Sequence, residues 1–204
     1  NDPESTWDNL VAGESGANPI TQFDTTDYTV NFACELKDFD PTQWMERKQA
    51  RRMDRFSQMA LSAARMAEAD SGISVEAAPD RVGAAVATGI GGLGAFEDCF
   101  QTLLERGPDR TSPFSIVQII PNMAAAWVSM ELGTKGPLAT ETTACAASNM
   151  ALGDGLDAIR LGRADVMFCG GTEAPVTRVG IAGFAAMRAL SKRNDDPKRG
   201  SRPF

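Results

Sequence analysis

Short apolar runs of strand character alternate along this chain with longer stretches whose apolar residues return at helical period, and turn-forming residues separate them. Arg81-Val-Gly-Ala-Ala-Val-Ala-Thr88 predicts a strand that enters Gly89-Ile-Gly-Gly-Leu-Gly94, and residues 95–105 then carry helical spacing. A loop punctuated by Gly107, Pro108 and Pro113 leads to an apolar helix over about 121–132. Thr140, Thr142 and Thr143 favour a strand over 136–144. Cys145-Ala-Ala-Ser148 opens a helix with Met150, Leu152, Leu156, Ile159 and Leu161 on one side, and residues 165–170 read as a buried strand. The strand–helix–strand unit over 136–170 is expected to pair in parallel through a right-handed crossover. Earlier, Trp44, Met45, Met53, Phe56, Met59, Ala60, Ala63 and Ala64 predict a basic helix from after Pro41 to about Asp70, stopping at Ser71–Gly72. Residues 1–30 read as polar and turn-rich, and residues 191–204 as a charged tail. The fold class is therefore α/β with a mostly parallel sheet and no internal repeat.

Composition narrows the chemistry. The 204 residues include 20 basic and 27 acidic side chains, four cysteines and no histidine, for a formal charge of −7. A domain of this size buries roughly 70% of its unfolded surface without disulfides. The acidity argues against nucleic acid as the main partner. No apolar run approaches the ~18–20 residues of a membrane span. Residues 1–11 are too polar for a signal peptide. Cys34, Cys99, Cys145 and Cys169 form no C-x-x-C pair, so neither a metal centre nor a disulfide scaffold is expected, and reduced thiols fit a cytoplasmic protein. Without histidine the chain has no Ser–His or Cys–His pair of its own.

Two signals remain. Gly89, Gly91 and Gly94 fit G-x-G-x-x-G between a strand and a helix, as in dinucleotide-binding turns. The acid that should end the next strand and hold a ribose is missing, because residues 107–117 form a loop and Asp109 ends no strand. A tight turn with close backbone packing is the favoured reading. The second signal is Cys145 at a strand-to-helix junction among Ala144, Ala146 and Ala147. Unpaired amides and the positive end of a helix dipole favour the thiolate there, and small neighbours leave the sulfur accessible. A backbone N–H at that place could hold an oxyanion. The residues alone leave nucleophile and buried small hydrophobe both open. Cys34, Cys99 and Cys169, in a loop, a helix and a buried strand, read as structural.

Several segments carry a resemblance. Gly136-Pro-Leu-Ala-Thr-Glu-Thr-Thr-Ala-Cys-Ala-Ala-Ser148, Leu161-Gly-Arg-Ala-Asp-Val-Met-Phe-Cys-Gly-Gly-Thr-Glu173, Ala189-Leu-Ser-Lys-Arg-Asn-Asp195, Ser201-Arg-Pro-Phe204, Glu35-Leu-Lys-Asp-Phe-Asp-Pro41 and Gly89–Gly94 together resemble the β-ketoacyl-acyl-carrier-protein synthases, the KAS I/II condensing enzymes of fatty acid synthesis. The resemblance implies a thiolase-like layered α/β/α fold. It implies Cys145 as the nucleophile of a decarboxylative Claisen condensation, with its backbone N–H forming half of the oxyanion hole. It places Ile90 as a gate of the acyl channel, Phe184 as a lining residue, and Ser115 where the family often carries an aromatic contributed across a dimer. Lys48, Arg51, Arg52, Arg110 and Arg188 match the patch on which acyl carrier protein docks, although the first three can equally be a solvated helix face. Asp109 stands where the family often has a basic residue.

The same resemblance implies departures. The family's first apolar strand, central in its sheet, has no counterpart before Asn1, and a second half bearing two histidines, a lysine and the rest of the oxyanion hole would follow Phe204. Residues 1–204 are thus expected to be the N-terminal half of a KAS II-like synthase, a homodimer through the strand at 136–144, needing no cofactor or metal. Two alternatives differ in class. One is a non-catalytic partner like the chain-length factors, against which Cys145 argues; the other is an NAD-binding oxidoreductase resting on the glycine turn.

Overall fold

The computed structural model describes residues 2–202; Asn1, Pro203 and Phe204, and with them the end of the Ser201-Arg-Pro-Phe204 segment, lie outside the described residues. The chain divides into two compact units, Pro41–Ala174 and a second unit made of the residues before Pro41 and after Ala174.

In the Pro41–Ala174 unit, β3 (Val82–Ala87) is the centre of a three-stranded parallel sheet, flanked by β4 (Leu138–Ala139) and β5 (Val166–Gly171). The register sets Ala84 against Leu138, Val82 against Val166 and Ala87 against Gly171. The strands of the 136–170 unit are parallel, as expected, but β3 lies between them rather than their pairing directly. All six residues of β3 are buried because both faces are covered. Val82, Ala84 and Val86 point towards α3 (Arg55–Ser71) and α6 (Met123–Leu132), where they pack with Phe56, Ala60, Ala124 and Val128. Ala85 and Ala87 point the other way, towards Ala147 and Ala151 of α7 (Ala147–Arg160). This is the α/β/α layering, with the period-2 alternation of one strand distributing its side chains between two helical layers. Phe56 and Val128 are fully enclosed, and each such side chain contributes about 1.5–3 kcal/mol.

Within this unit three elements differ from the sequence expectation. The basic helix is broken into α2 (Arg47–Ala50) and α3, because Asp54 caps the latter by accepting from Phe56 N at 3.1 Å. α3 then stops where expected, at Gly72 with φ +67°. The strand expected over 136–144 shrinks to Leu138–Ala139, although Gly136 N to Val82 O (2.9 Å), Ala84 N to Pro137 O (2.9 Å) and Thr88 N to Glu141 O (3.3 Å) keep residues 136–141 beside β3. Pro137 has no N–H to give a ladder. A short α5 (Ser115–Ile119) also precedes α6.

Two helices carry exposed apolar faces. α4 (Leu93–Arg106) buries no residue, and Phe96 and Phe100 stack on its open side with ring centroids 6.3 Å apart. α7 meets the sheet through Ala147, Ala151, Gly155 and Ala158, so the side bearing Met150, Leu152, Leu156, Ile159 and Leu161 faces outward.

In the other unit, α1 (Pro3–Ala12) occupies part of the segment read as turns. Asp2 caps it, Pro3 is its first residue and Gly13 ends it at φ +69°. β1 (Ala17–Pro19) and β2 (Phe32–Cys34) pair antiparallel. Asn194 ties the tail in, donating to Thr29 O at 3.1 Å and accepting from Asn31 N at 3.2 Å. α8 (Arg178–Ala186) starts at Thr177, whose hydroxyl accepts from Gly180 N.

Candidate active site

The carboxyl ends of the three parallel strands converge, and open α/β sheets bind their ligands at that edge. After β4 the chain reaches Ala144, whose φ of +51° lies in the left-handed region, and then Cys145 in a single 3₁₀ turn that leads straight into α7. An alanine held there is strained, and strain of that kind collects at functional turns. Cys145 is exposed, with small residues on both sides. The first turn of α7 has no side-chain cap and no acidic residue, so its amides and the positive end of its dipole stay available beside the sulfur. The reading of Cys145 as a buried hydrophobe therefore fails. Cys169 lies on β5, where burial first and then the charge of Glu141 push its thiol up from the ordinary cysteine value. Gly155 lies so close to Cys169 Sγ that a methyl group there would overlap it. Cys34 is exposed on β2 and Cys99 is half-buried on α4.

The glycine turn after β3 abuts the nucleophile turn. A Cβ on Gly89 would stand 3.5 Å from Ala144 Cα, and one on Gly92 would strike the backbone of Gln118 and Ile119. Gly91 has φ +91°. The glycines thus serve close packing. A carboxylate already occupies the amides that a pyrophosphate would need: Glu173 Oε2 accepts from Gly89 N at 2.7 Å and Ile90 N at 3.0 Å, and Oε1 accepts from Thr88 Oγ1 at 3.2 Å. Thr88 Oγ1 accepts in turn from Gly91 N at 3.2 Å. Dinucleotide binding on this turn would set phosphate charge against that carboxylate, so the oxidoreductase alternative loses its only support.

The remaining candidates fall in separate places. Ile90 sits on this turn with 44% of its surface exposed. Ser115 is buried at the start of α5, donates its hydroxyl to Ser112 O at 2.8 Å, and lines a cavity of about 350 Å³ with Asp54, Cys99 and Gln118. Lys48 and Arg51 are exposed at α2; the Arg52 guanidinium stacks on Phe114 at 5.0 Å, and Gln118 Nε2 donates to Arg51 O at 3.2 Å. These contacts bring Arg51 and Arg52 to the segment at Phe114–Gln118, which follows the exposed Arg110. A cavity of about 750 Å³ lies beside this basic group rather than at Cys145, lined in part by Trp44, Lys48, Arg52 and Arg65. Phe184 on α8 and Arg188 just after it, with φ +60°, are exposed in the other unit. Among the described residues no group of three or more Asp, Glu, Cys or His could hold a metal, and no helix is long and apolar enough to cross a membrane.

Two features escaped the sequence reading. One is Glu173, whose signal is an acid two residues beyond the end of β5, opposite the glycine turn. The left-handed Ala144 has no signal, because alanine does not advertise a positive φ.

Residues 1–204 match the family model described as Beta-ketoacyl synthase, N-terminal domain. Over 199 residues the chain is 47% identical to the 3-oxoacyl-[acyl-carrier-protein] synthase 2 of Synechocystis sp., covering 97% of this chain and 48% of that protein. Among solved structures, the ishigamide ketosynthase/chain length factor superposes with a TM-score of 0.82 at 35% identity, covering 90% of this chain and 46% of that one. AntDE:AntF, a type II polyketide synthase acyl-carrier protein in complex with its hexaketide-bound ketosynthase, matches with a TM-score of 0.68 at 25% identity, over 79% of this chain and 45% of that chain. The chain spans about half the length of the curated relatives it matches.

Proposed function

The chain belongs to the β-ketoacyl synthase family, as its N-terminal domain, and from that premise we propose that it supplies the nucleophile of a 3-oxoacyl-acyl-carrier-protein synthase of the KAS II type. The observation that carries the proposal is the exposed Cys145 on a strained turn at an uncapped helix N-terminus, in the only one of the four cysteine environments built this way. The Cys145 sulfur attacks the thioester carbon of an acyl group delivered on carrier protein. The carbon–sulfur bond to the carrier breaks, and the carrier thiol leaves with the proton that the cysteine loses. The Cys145 backbone N–H faces the oxyanion that forms. A malonyl group on a second carrier then loses CO2. The electron pair of the broken carbon–carbon bond forms the new bond to the acyl carbon, and the Cys145 sulfur leaves as thiolate. The chain has no histidine, so the groups that assist decarboxylation come from outside these residues, and these 204 residues alone do not condense.

Several features support the assignment of partners. Lys48, with Arg51 and Arg52 held against the Phe114–Gln118 segment that follows Arg110, gives a local positive face on an acidic chain, suited to an acidic carrier protein. Arg188 is assigned to the same docking role, and Ile90, Ser115 and Phe184 to the acyl channel. β4 is an edge strand with Leu138 exposed, which suits isologous pairing with a second copy in a homodimer. A cytoplasmic location and a role in fatty acid elongation complete the proposal. The outward apolar side of α7 fits a domain that is covered by further protein in the whole synthase. The test is condensation by the full-length protein: 3-ketoacyl product should form from acyl and malonyl carrier protein and vanish in Cys145→Ala. Undiminished product in that variant would refute the proposal.

A further inference from the structure

We propose that Glu173 is a positioning residue that fixes the Gly89–Ile90 turn against the nucleophile turn and thereby sets the acyl-length selectivity at Cys145; this rests on the function proposed above. The turn is held at its far end by Gly92 N, which donates to Ile119 O at 3.0 Å, and at its Gly89–Ile90 end by Glu173. It is rich in glycine, it carries the exposed Ile90, and Gly89 approaches Ala144 Cα so closely that a methyl group would already be in contact. Three donors of this turn converge on one carboxylate: Gly89 N at 2.7 Å, Ile90 N at 3.0 Å and Thr88 Oγ1 at 3.2 Å. Thr88 relays the restraint, since its oxygen also accepts from Gly91 N at 3.2 Å. Hydrogen bonds to an ionised acceptor are shorter and about twice as strong as neutral ones. A second anchor fixes Glu173 itself, because the preceding Thr172 N donates to Ala87 O at 3.0 Å and its hydroxyl to Phe56 O at 2.7 Å. The carboxylate therefore acts as an internal anion that fills the amide pair, and it locks the end of β3 to the end of β5. Ile90 is the first side chain on the turn so held, and it follows Gly89, the residue that approaches Ala144. Displacing the turn moves the Ile90 side chain, which the proposed function assigns to the acyl channel, without touching the sulfur.

The experiment uses the full-length protein that carries this chain, with Glu173→Ala and Glu173→Gln variants. Acylation of Cys145 is followed by intact mass, with pantetheine thioesters of short and long acyl chains. Glu173→Ala is expected to lower kcat/KM for the preferred acyl chain by about tenfold or more, the order expected when a reacting group is misplaced, and to bring the long-to-short ratio towards unity. Glu173→Gln keeps an acceptor oxygen and should retain most of the ratio. Acetate should restore the ratio in Glu173→Ala saturably, because it can occupy the emptied amide pair, and should leave the wild type unchanged. A general loss of folding lowers both acyl chains equally and is not rescued by acetate, so an unchanged ratio in Glu173→Ala, or a changed ratio that acetate leaves untouched, overturns the inference. Absence of acylation in the wild type would instead overturn the proposed function.

Discussion

Replacing Ala144 by glycine separates strain from packing at the nucleophile turn. Ala144 holds φ +51° immediately before Cys145 and is exposed, so its methyl group contributes little burial. Holding an L-residue in the left-handed region costs roughly 1–2 kcal/mol. Glycine removes that cost but gives the unfolded chain more freedom to lose, worth about 0.4–1 kcal/mol in the opposite direction. At the midpoints of the two ranges the difference leaves Ala144→Gly more stable by roughly 0.8 kcal/mol. For a chain of 150–250 residues that is a rise in Tm of about 1–4 °C. Valine at the same place should shift Tm the other way, because its branched Cβ resists positive φ further. The second readout is alkylation of Cys145 by a small thiol reagent. The more stable glycine variant should react more slowly, since the turn no longer holds the sulfur in one orientation over the α7 amides. Thermal unfolding by circular dichroism and timed mass spectrometry provide both numbers. A fall in Tm for Ala144→Gly, or indifference to valine, would show that the turn is not strained.

Three further outcomes are expected. Gly92→Ala should lower stability by about 1–3 kcal/mol in a denaturant titration, because its Cβ would strike the backbone of Gln118 and Ile119, which cannot swing aside as a side chain could; an unchanged midpoint would contradict the packing. Burial, with the nearby Asp98 adding to it, raises the Asp54 pKa, opposed by the amides of Phe56 and Ala95. A raised carboxyl stabilises the fold fully below its unfolded value of ~3.9 and loses that contribution as pH rises through its folded value. Wild-type stability minus that of Asp54→Asn should therefore decrease from about pH 4 upwards in urea titrations, and an increase would reverse the assigned shift. Lys48→Glu combined with Arg51→Glu should slow carrier-protein association by about tenfold at low salt, with the difference shrinking at high salt; surface plasmon resonance showing equal rates would remove these residues from the docking face.

What the sequence disclosed follows from how many residues carried each signal. β3 and β5 were legible because continuous apolar runs between turn-formers suit strands covered on both faces. α7 was legible as a helix, but its inner face was not, since alanine and glycine make the sheet contact while the large residues point outward. α1 has cap signals in Asp2, Pro3 and Gly13 yet buries nothing, so no hydrophobic period marked it. The break before α3 depends on one side chain, Asp54, accepting from two separate helix starts, Phe56 N at 3.1 Å and Ala95 N at 2.8 Å. At the site, the cysteine and the glycine turn were visible as local patterns. Glu173 was not, because its meaning comes from partners more than 80 residues away in the chain.

The central claim is that Cys145, and no other cysteine, receives the acyl group. Incubating the full-length protein with acyl carrier protein loaded with a fatty acyl chain, followed by digestion under thioester-preserving conditions, places the acyl mass on a peptide. The acyl mass is expected on the peptide containing Cys145, with none on Cys34, Cys99 or Cys169. Acyl mass on one of those three, with the Cys145 peptide unmodified, would contradict the account.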